Sequence, residues 1–180
     1  QNMAAMPAGP DAAHLIAEAE RLAFADRAQY LADPDFVSVP LEGLLDPNYL
    51  KARAALVDPA KSMGTAKAGE PPRKKAQAFA PSDGVEFGTS HISIIDRFGN
   101  AVSMTTTIED AFGARLMTKS GFLLNNELTD FSFLPTKDSL PVANRVEPGK
   151  RPRSSMAPTI VLDETGKLLA VTGSPGGSLI

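Results

Sequence analysis

The sequence changes character twice along its length, and this change constrains the fold more than any other feature. Up to Leu56, apolar residues recur at helical spacing. Residues 58–88 are rich in Ala, Lys, Pro and Gly and show no periodic apolar face. After Gly88, β-branched residues dominate. The sequence therefore predicts an α+β protein in which an exposed and mobile tether over residues 58–88 joins a helical part to a β part.

Two helices are predicted in the first part of the chain. Apolar residues from Asp11 to about Leu31 fall on one helical face, with Asp11 as the N-cap and Asp33-Pro34 ending the helix. A second helix is predicted over residues 47–56, with Asp46 as its cap and a proline at its first position.

Two β-hairpins are predicted in the last part. Residues 91–96 and 101–107 flank a three-residue loop that ends in Gly99, a favoured position for glycine in such a loop. The second hairpin is predicted from strands 159–162 and 168–172 around the turn 163–166.

The first hairpin brings two threonines together. If residues 97–99 form the loop, counting outward along the strands places Thr89 opposite Thr107, with Cβ atoms roughly 4.5–5.5 Å apart. Threonines are common in strands, so this pairing alone does not indicate function. Thr89, however, follows Gly88 at the end of the tether, and cleavage of the bond between them would give Thr89 an α-amine. With a pKa of roughly 7.7–8.0, that amine suits a general base, so one residue would supply both nucleophile and base.

The composition excludes several classes of function. With 18 Lys and Arg against 21 Asp and Glu, the net charge of -3 indicates no nucleic-acid partner. No apolar stretch approaches the roughly 20 residues of a membrane span. Zero cysteines exclude disulfides and thiolate sites, and two histidines make a His-rich metal centre unexpected. We expect both ends to be cuts in a longer protein, because the chain lacks an initiator and stops just after an apolar run.

Four separated segments resemble the start of the small subunit of the γ-glutamyltranspeptidase family. The first consists of residues 88–93 and 96–107, and the others are residues 124–131, 151–159 and 172–177. Upstream, residues 17–20 and 30–37 resemble the end of that family's large subunit. The resemblance implies an N-terminal nucleophile hydrolase with a four-layer αββα sandwich. It also implies a precursor that cleaves itself between Gly88 and Thr89, so that residues 1–88 end the large subunit and residues 89–180 begin the small, catalytic one.

The resemblance also implies roles for individual residues. Thr89 would be the nucleophile, supported by the hydroxyl of Thr107. The α-ammonium of a γ-glutamyl group would be held by Glu109, Glu127 and Asp130, because charge-assisted hydrogen bonds are strong. Ser154 and Ser155 would donate hydrogen bonds to its α-carboxylate, and Gly176 and Gly177 would donate backbone N–H groups to the oxyanion. An arginine before Gln1 would complete the carboxylate site, and residues 132–141 lack the Gly-rich tip of the lid found in some members.

The implied function is a two-step γ-glutamyl transfer from glutathione or related compounds to water, an amino acid or a peptide, with no cofactor and no metal. Its partners would be the remainder of the two subunits, in the periplasm or outside the cell. One alternative is a cephalosporin or glutaryl acylase of the same fold, although its substrate lacks the α-ammonium that the three acidic residues would hold. A second is a non-catalytic remnant or binding module, which the retention of Thr89 and Thr107 disfavours.

Overall fold

The computed structural model describes residues 9–72, 78–81 and 89–174. The chain divides into two compact units: unit 1 contains Gln1–Asp83 and Leu134–Arg151, and unit 2 contains Gly84–Phe133 and Pro152–Ile180. The elements of unit 1 are α1 (Pro10–Tyr30), α2 (Leu41–Leu44), α3 (Pro47–Ala54), β3 (Thr136–Lys137) and β4 (Leu140–Pro141). Those of unit 2 are β1 (Ser90–Ile95), β2 (Ala101–Thr106), a 3₁₀ helix (Glu127–Asp130), β5 (Thr159–Leu162) and β6 (Leu168–Thr172). The predicted α+β character is confirmed.

Helix α1 agrees with the predicted helix, but its cap does not. The helix begins at Pro10, which is well suited to the first helical position, so Gly9 is the N-cap and makes no side-chain cap hydrogen bond. The prediction that Asp11 caps the helix is therefore wrong. Asp11 lies in the first turn, where its charge interacts favourably with the helix dipole.

Helix α3 confirms the second predicted helix and its cap. The Asp46 carboxylate accepts the backbone N–H groups of Asn48 and Tyr49 at 2.9 and 3.0 Å. The helix ends at Ala54, two residues before the predicted end, and the four-residue helix α2 before it is not predicted from the sequence.

The predicted tether is fastened to α1 over part of its length. Glu18 of α1 is 2% exposed, and its carboxylate accepts hydrogen bonds from the Met63 N–H and the Ser62 hydroxyl, both at 2.7 Å. These donors, the Met63 N–H first, hold the pKa of Glu18 below its usual range. The Asp26 carboxylate accepts the Gly69 N–H at 2.7 Å. Residues 62, 64, 65 and 67 are exposed, as expected of the tether, but hydrogen bonds to two polar side chains of α1 attach Met63 and Gly69 to that helix.

The core of unit 1 joins segments that are distant in the sequence. Val37, Phe79 and Ala143 are 5%, 4% and 0% exposed and pack together. Beside them, the Ala80 N–H donates to the Pro141 carbonyl at 2.9 Å. Phe79 and Ala80 are therefore buried, against residues that lie about sixty positions further along the chain.

Strands β3 and β4 form a short hairpin within residues 132–141. Asp138 and Ser139 connect them with φ angles of 50° and 62°, as a two-residue hairpin loop of the favoured hand requires. This hairpin is not predicted from the sequence.

Unit 2 contains both predicted hairpins. Strands β1 and β2 pair in the predicted register, with Ser90 facing Thr106. The loop has Gly99 at φ 87°, and the Asp96 carboxylate accepts the N–H groups of Phe98 and Asn100 at 2.8 and 2.9 Å. The side chain of Asn100 is the largest of the influences that lower the pKa of Asp96.

Strands β5 and β6 confirm the second hairpin, with a bulge between Val161 and Leu162. The two hairpins are linked through Ser103 of β2. Its hydroxyl donates to the Thr172 carbonyl at 2.8 Å and accepts the Thr159 N–H at 3.0 Å. One serine thus bonds both strands of the second hairpin.

Candidate active site

Thr89 and Thr107 lie at the open end of the β1–β2 hairpin. Ser90 and Thr106 form the outermost residue pair of the observed register. The next pair outward is Thr89 and Thr107, so the register places these two threonines opposite each other. Both line a cavity of about 550 Å³, together with Ile108, Asp110 and Ala111. The cavity gives a small substrate room beside the two hydroxyl groups, as a nucleophile and its supporting group require.

The chain turns sharply after Thr107, and this turn places Glu109. The Thr107 hydroxyl oxygen accepts the Glu109 N–H at 2.9 Å. Glu109 has a φ of 73°, in the left-handed region that non-glycine residues rarely adopt, and is only 5% exposed. The strained backbone therefore directs a carboxylate into the interior of unit 2, two residues after Thr107.

Asn126 is a residue of the site that the sequence reasoning missed. Its side-chain amide donates to the Glu109 carboxylate and, at 3.1 Å, to the Thr129 hydroxyl. Its side-chain carbonyl accepts the Asp110 N–H at 3.0 Å. Asn126 thus joins the turn after Thr107 to the 3₁₀ helix. The adjacent pair Asn125-Asn126, just before two of the three acidic candidates, is the sequence signal that could have identified it.

The 3₁₀ helix carries the other two acidic candidates, Glu127 and Asp130. The Asn125 side chain accepts the Glu127 N–H at 3.1 Å, which positions the start of the helix. The Glu127 Oε1 atom is buried and has no hydrogen-bond partner among the described residues. A buried carboxylate oxygen without a donor is costly, and a cationic ligand group would satisfy it.

The two serines lie on the segment that leads into β5. The Ser154 hydroxyl oxygen accepts the Met156 N–H at 3.1 Å, which leaves its proton to be donated to a ligand. Ser155 follows it and is partly buried. Gly88, Gly176 and Gly177 lie outside the described residues, so the structure does not test their assigned roles.

His91 lies on the same strand face as Thr89 and also escaped the sequence reasoning. Its Nδ1 is 2.9 Å from the Thr105 hydroxyl, and its Nε2 is 3.0 Å from the Ser93 hydroxyl. The ring covers Gly173, the first residue after β6. His91 therefore braces the end of β6, three residues before Gly176 in the sequence.

The part of the chain that the structure describes contains no cluster of three His, Cys, Asp or Glu residues able to hold a metal ion. Among the same residues, no helix is both long and apolar enough to cross a membrane.

Comparisons with known proteins identify the family of the chain. The sequence matches the Gamma-glutamyltranspeptidase family over residues 2–180. It is 46% identical over 173 residues to a Glutathione hydrolase proenzyme of Bacillus subtilis strain 168, covering 92% of this chain and 28% of that protein. It is 38% identical over 167 residues to the Acylase ACY 1 proenzyme of Pseudomonas sp. strain SE83, covering 92% of this chain and 27% of that protein.

A solved structure also matches: the gamma-glutamyltranspeptidase from Pseudomonas nitroreducens complexed with L-DON. It is 45% identical, with a TM-score of 0.43 and coverage of 49% of this chain and 48% of that one. The family match and the sequence identity show that the chain belongs to the γ-glutamyltranspeptidase family. It therefore carries part of the N-terminal nucleophile hydrolase fold, and it spans less than a third of the curated relatives that it matches.

Proposed function

We propose that a protein containing this chain transfers γ-glutamyl groups from glutathione and other γ-glutamyl amides to water, an amino acid or a peptide. Family membership supports this class of reaction. On the chain itself, the observation that carries the proposal is the cavity shared by Thr89 and Thr107 at the end of the β1–β2 hairpin. The register of that hairpin follows from local turn chemistry, so the pairing is built into the sequence.

Maturation is proposed to cut the chain between Gly88 and Thr89. Residues 1–88 then end a large subunit and residues 89–180 begin a small one. The cut frees the α-amine of Thr89, which lies one residue before β1 and so at the end of a hydrogen-bonded strand. A nucleophile next to a regular strand is held in a defined position, which favours catalysis.

The proposed reaction proceeds through an ester. The Thr89 hydroxyl oxygen attacks the γ-carbonyl carbon of the donor, and the Thr89 α-amine takes the hydroxyl proton. The C–N bond of the γ-amide then breaks, and the leaving amine receives that proton. Water or an acceptor amine attacks the glutamyl ester, giving its proton to the same α-amine, and the Thr89 oxygen leaves as a hydroxyl.

Ligand contacts complete the proposed site. Glu109, Glu127 and Asp130 hold the α-ammonium, and the buried Glu127 Oε1 without a partner among the described residues supports this assignment. Ser154 and Ser155 donate to the α-carboxylate. The backbone N–H groups of Gly176 and Gly177 stabilise the oxyanion, where the loss of one such donor costs about 3 kcal/mol of transition-state stabilisation.

The partners of the chain are proposed to be the remaining parts of the two subunits, together with the donor and acceptor molecules. The compartment is proposed to be the periplasm or the cell exterior. Fractionation of cells that express the full-length protein tests the compartment, and recovery of the mature enzyme in the cytosol would contradict it.

Mass spectrometry under denaturing conditions tests the maturation step. Full-length wild-type protein should give two chains, the second beginning at Thr89, whereas Thr89→Ala should remain a single chain. Thr89→Ser, which keeps both a hydroxyl and a potential α-amine, is the matched control and should still be cut. Cleavage of Thr89→Ala at the same bond would refute the assignment of Thr89.

An acylase that removes glutaryl groups is the second candidate, favoured by the identity to the Pseudomonas acylase. A glutaryl group has no α-ammonium, so it would leave the buried Glu109 carboxylate and the buried Oε1 atom of Glu127 without a cationic partner. Turnover of γ-glutamyl-p-nitroanilide should therefore exceed turnover of glutaryl-p-nitroanilide in the mature enzyme. The reverse order would favour the acylase.

A further inference from the structure

Asp33 is a buried carboxylate of unit 1 that binds a residue 118 positions further along the chain. Its side chain is 1% exposed. Oδ2 accepts the backbone N–H and the Nε–H of Arg151 at 2.9 and 3.0 Å, and Oδ1 accepts Nη2 of the same arginine at 2.7 Å. Oδ1 also accepts the Asp35 N–H at 3.1 Å. Both carboxylate oxygens therefore accept two hydrogen bonds each, and three of the four donors belong to Arg151.

Asp33 and Arg151 lie on opposite sides of the proposed cleavage site in the sequence. Unit 1 is formed by residues 1–83 together with residues 134–151. The proposed cut between residues 88 and 89 falls between these two segments. After the cut, unit 1 consists of two separate polypeptides, and only non-covalent contacts keep residues 134–151 attached to the upstream chain.

We propose that Asp33 is the anchor by which the upstream chain retains the downstream chain after cleavage, and that Arg151 is the group it holds. This inference rests on the proposed function, because it requires the cut. Asp33 binds both the backbone N–H and the guanidinium of Arg151, and these contacts fix the orientation of the arginine as well as its distance. A lysine in its place could not form the paired guanidinium contacts.

Two further contacts between the segments are of a different kind. One is the packing of Phe79 and Val37 against Ala143, and another is the hydrogen bond from the Ala80 N–H to the Pro141 carbonyl. These contacts bury surface but contain no charged group. The Asp33 carboxylate is charged, and most of its hydrogen-bond donors belong to the downstream chain. Removing Arg151 would leave this buried carboxylate without most of its donors.

Asp35 provides a matched control. Its carboxylate also contacts Arg151 Nη2, at 2.6 Å, but its side chain is 73% exposed. Water can replace that contact, so an exposed pair of this kind contributes little to association. Asp33→Asn and Asp35→Asn thus remove the same charge, two residues apart, from the same arginine, and they differ in burial and in the number of hydrogen bonds to Arg151 that are affected.

The test measures separation of the two mature chains in the full-length enzyme. Native mass spectrometry follows dissociation at a urea concentration that leaves the circular dichroism of the wild-type enzyme unchanged. Asp33→Asn should separate about tenfold faster than the wild type, since loss of a buried charged partner acts mainly on the dissociation rate. Asp35→Asn should separate at the wild-type rate.

Two results would overturn the inference. One is that Asp33→Asn is cut normally and separates no faster than the wild type, and the other is that Asp35→Asn separates as fast as Asp33→Asn. If Asp33→Asn does not fold, hydrogen exchange in the unmodified mature enzyme decides: the Arg151 amide should be protected, and exchange at the rate of an open chain would refute the anchor. A wild-type protein that stays uncut under denaturing conditions would refute the proposed function itself.

Discussion

Gly173 lies against the imidazole of His91, and replacing it with alanine should destabilise unit 2. A Cβ atom at this position would lie 2.2 Å from Cε1, 2.6 Å from Nδ1 and 2.8 Å from Nε2 of the ring. Atoms that are not bonded to each other do not approach so closely, so the ring must move. The ring cannot move and keep its hydrogen bonds to Thr105 and Ser93, because both of its nitrogens are used.

The size of the effect follows from these contacts. Two hydrogen bonds between neutral groups are worth about 1 kcal/mol each. Overpacking adds about 1–3 kcal/mol where the surroundings are rigid. The ring is only partly buried and can swing toward solvent, so the smaller overpacking value applies. Gly173→Ala should therefore lower the free energy of unfolding by about 2–3 kcal/mol.

A double-mutant cycle measures this effect and its cause. Urea unfolding is followed in the full-length precursor, kept uncut by Thr89→Ala, with Gly173→Ala, His91→Ala and both substitutions together. Without the ring, the three closest contacts of the added methyl group are gone, so Gly173→Ala should cost less than about 0.5 kcal/mol in the His91→Ala background. An equal cost in both backgrounds would refute the steric explanation.

Two further predictions concern the acidic turn and the Asp33 carboxylate. Asn126→Ala should raise the KM for γ-glutamyl-p-nitroanilide about tenfold while changing kcat less, because Glu109 loses a donor that positions it; an unchanged KM would exclude Asn126 from the site. The side-chain donors of Arg151 hold the pKa of Asp33 well below its usual range, so the ionised form stabilises the folded state. That contribution should be fully present above pH of about 4 and disappear only as the pH falls further. The difference in urea stability between wild type and Asp33→Asn should therefore stay constant from pH 7 to pH 5, and its loss by pH 5 would contradict this assignment.

The hairpins could be predicted from the sequence because their signals are local. Gly99 and Gly166 adopt φ angles of 87° and 82° in the two turns, and the carboxylates of Asp96 and Asp163 accept backbone N–H groups within a few residues. Once a turn of known length is placed, the register of its strands is fixed. The opposition of Thr89 and Thr107 thus required no knowledge of tertiary structure.

The attachment of residues 62–69 could not be predicted in the same way. Glu18 and Asp26 lie on a helix whose apolar period predicts only where its hydrophobic face points. Their partners Met63 and Gly69 are 45 and 43 residues away and offer backbone N–H groups, which every residue type except proline carries. The composition of a polar segment therefore does not show whether its backbone is bound by another part of the protein or is solvated.

Two further unpredicted features lie at the acidic candidates Glu109 and Glu127. Among the described residues, Asp138 and Ser139 have left-handed backbones that a two-residue turn explains. Glu109 also has a left-handed backbone, but it is buried and does not lie in such a hairpin loop. Glu127, 18 positions further along the chain, buries a carboxylate oxygen that no protein donor satisfies among the same residues. The left-handed backbone of Glu109 and the buried Glu127 oxygen without a donor both cost folding free energy. A ligand with an ammonium group would repay both, since it supplies several N–H donors and the opposite charge to carboxylates that are already fixed in place. Two departures from local rules in unit 2 thus fall on residues proposed to hold the γ-glutamyl group.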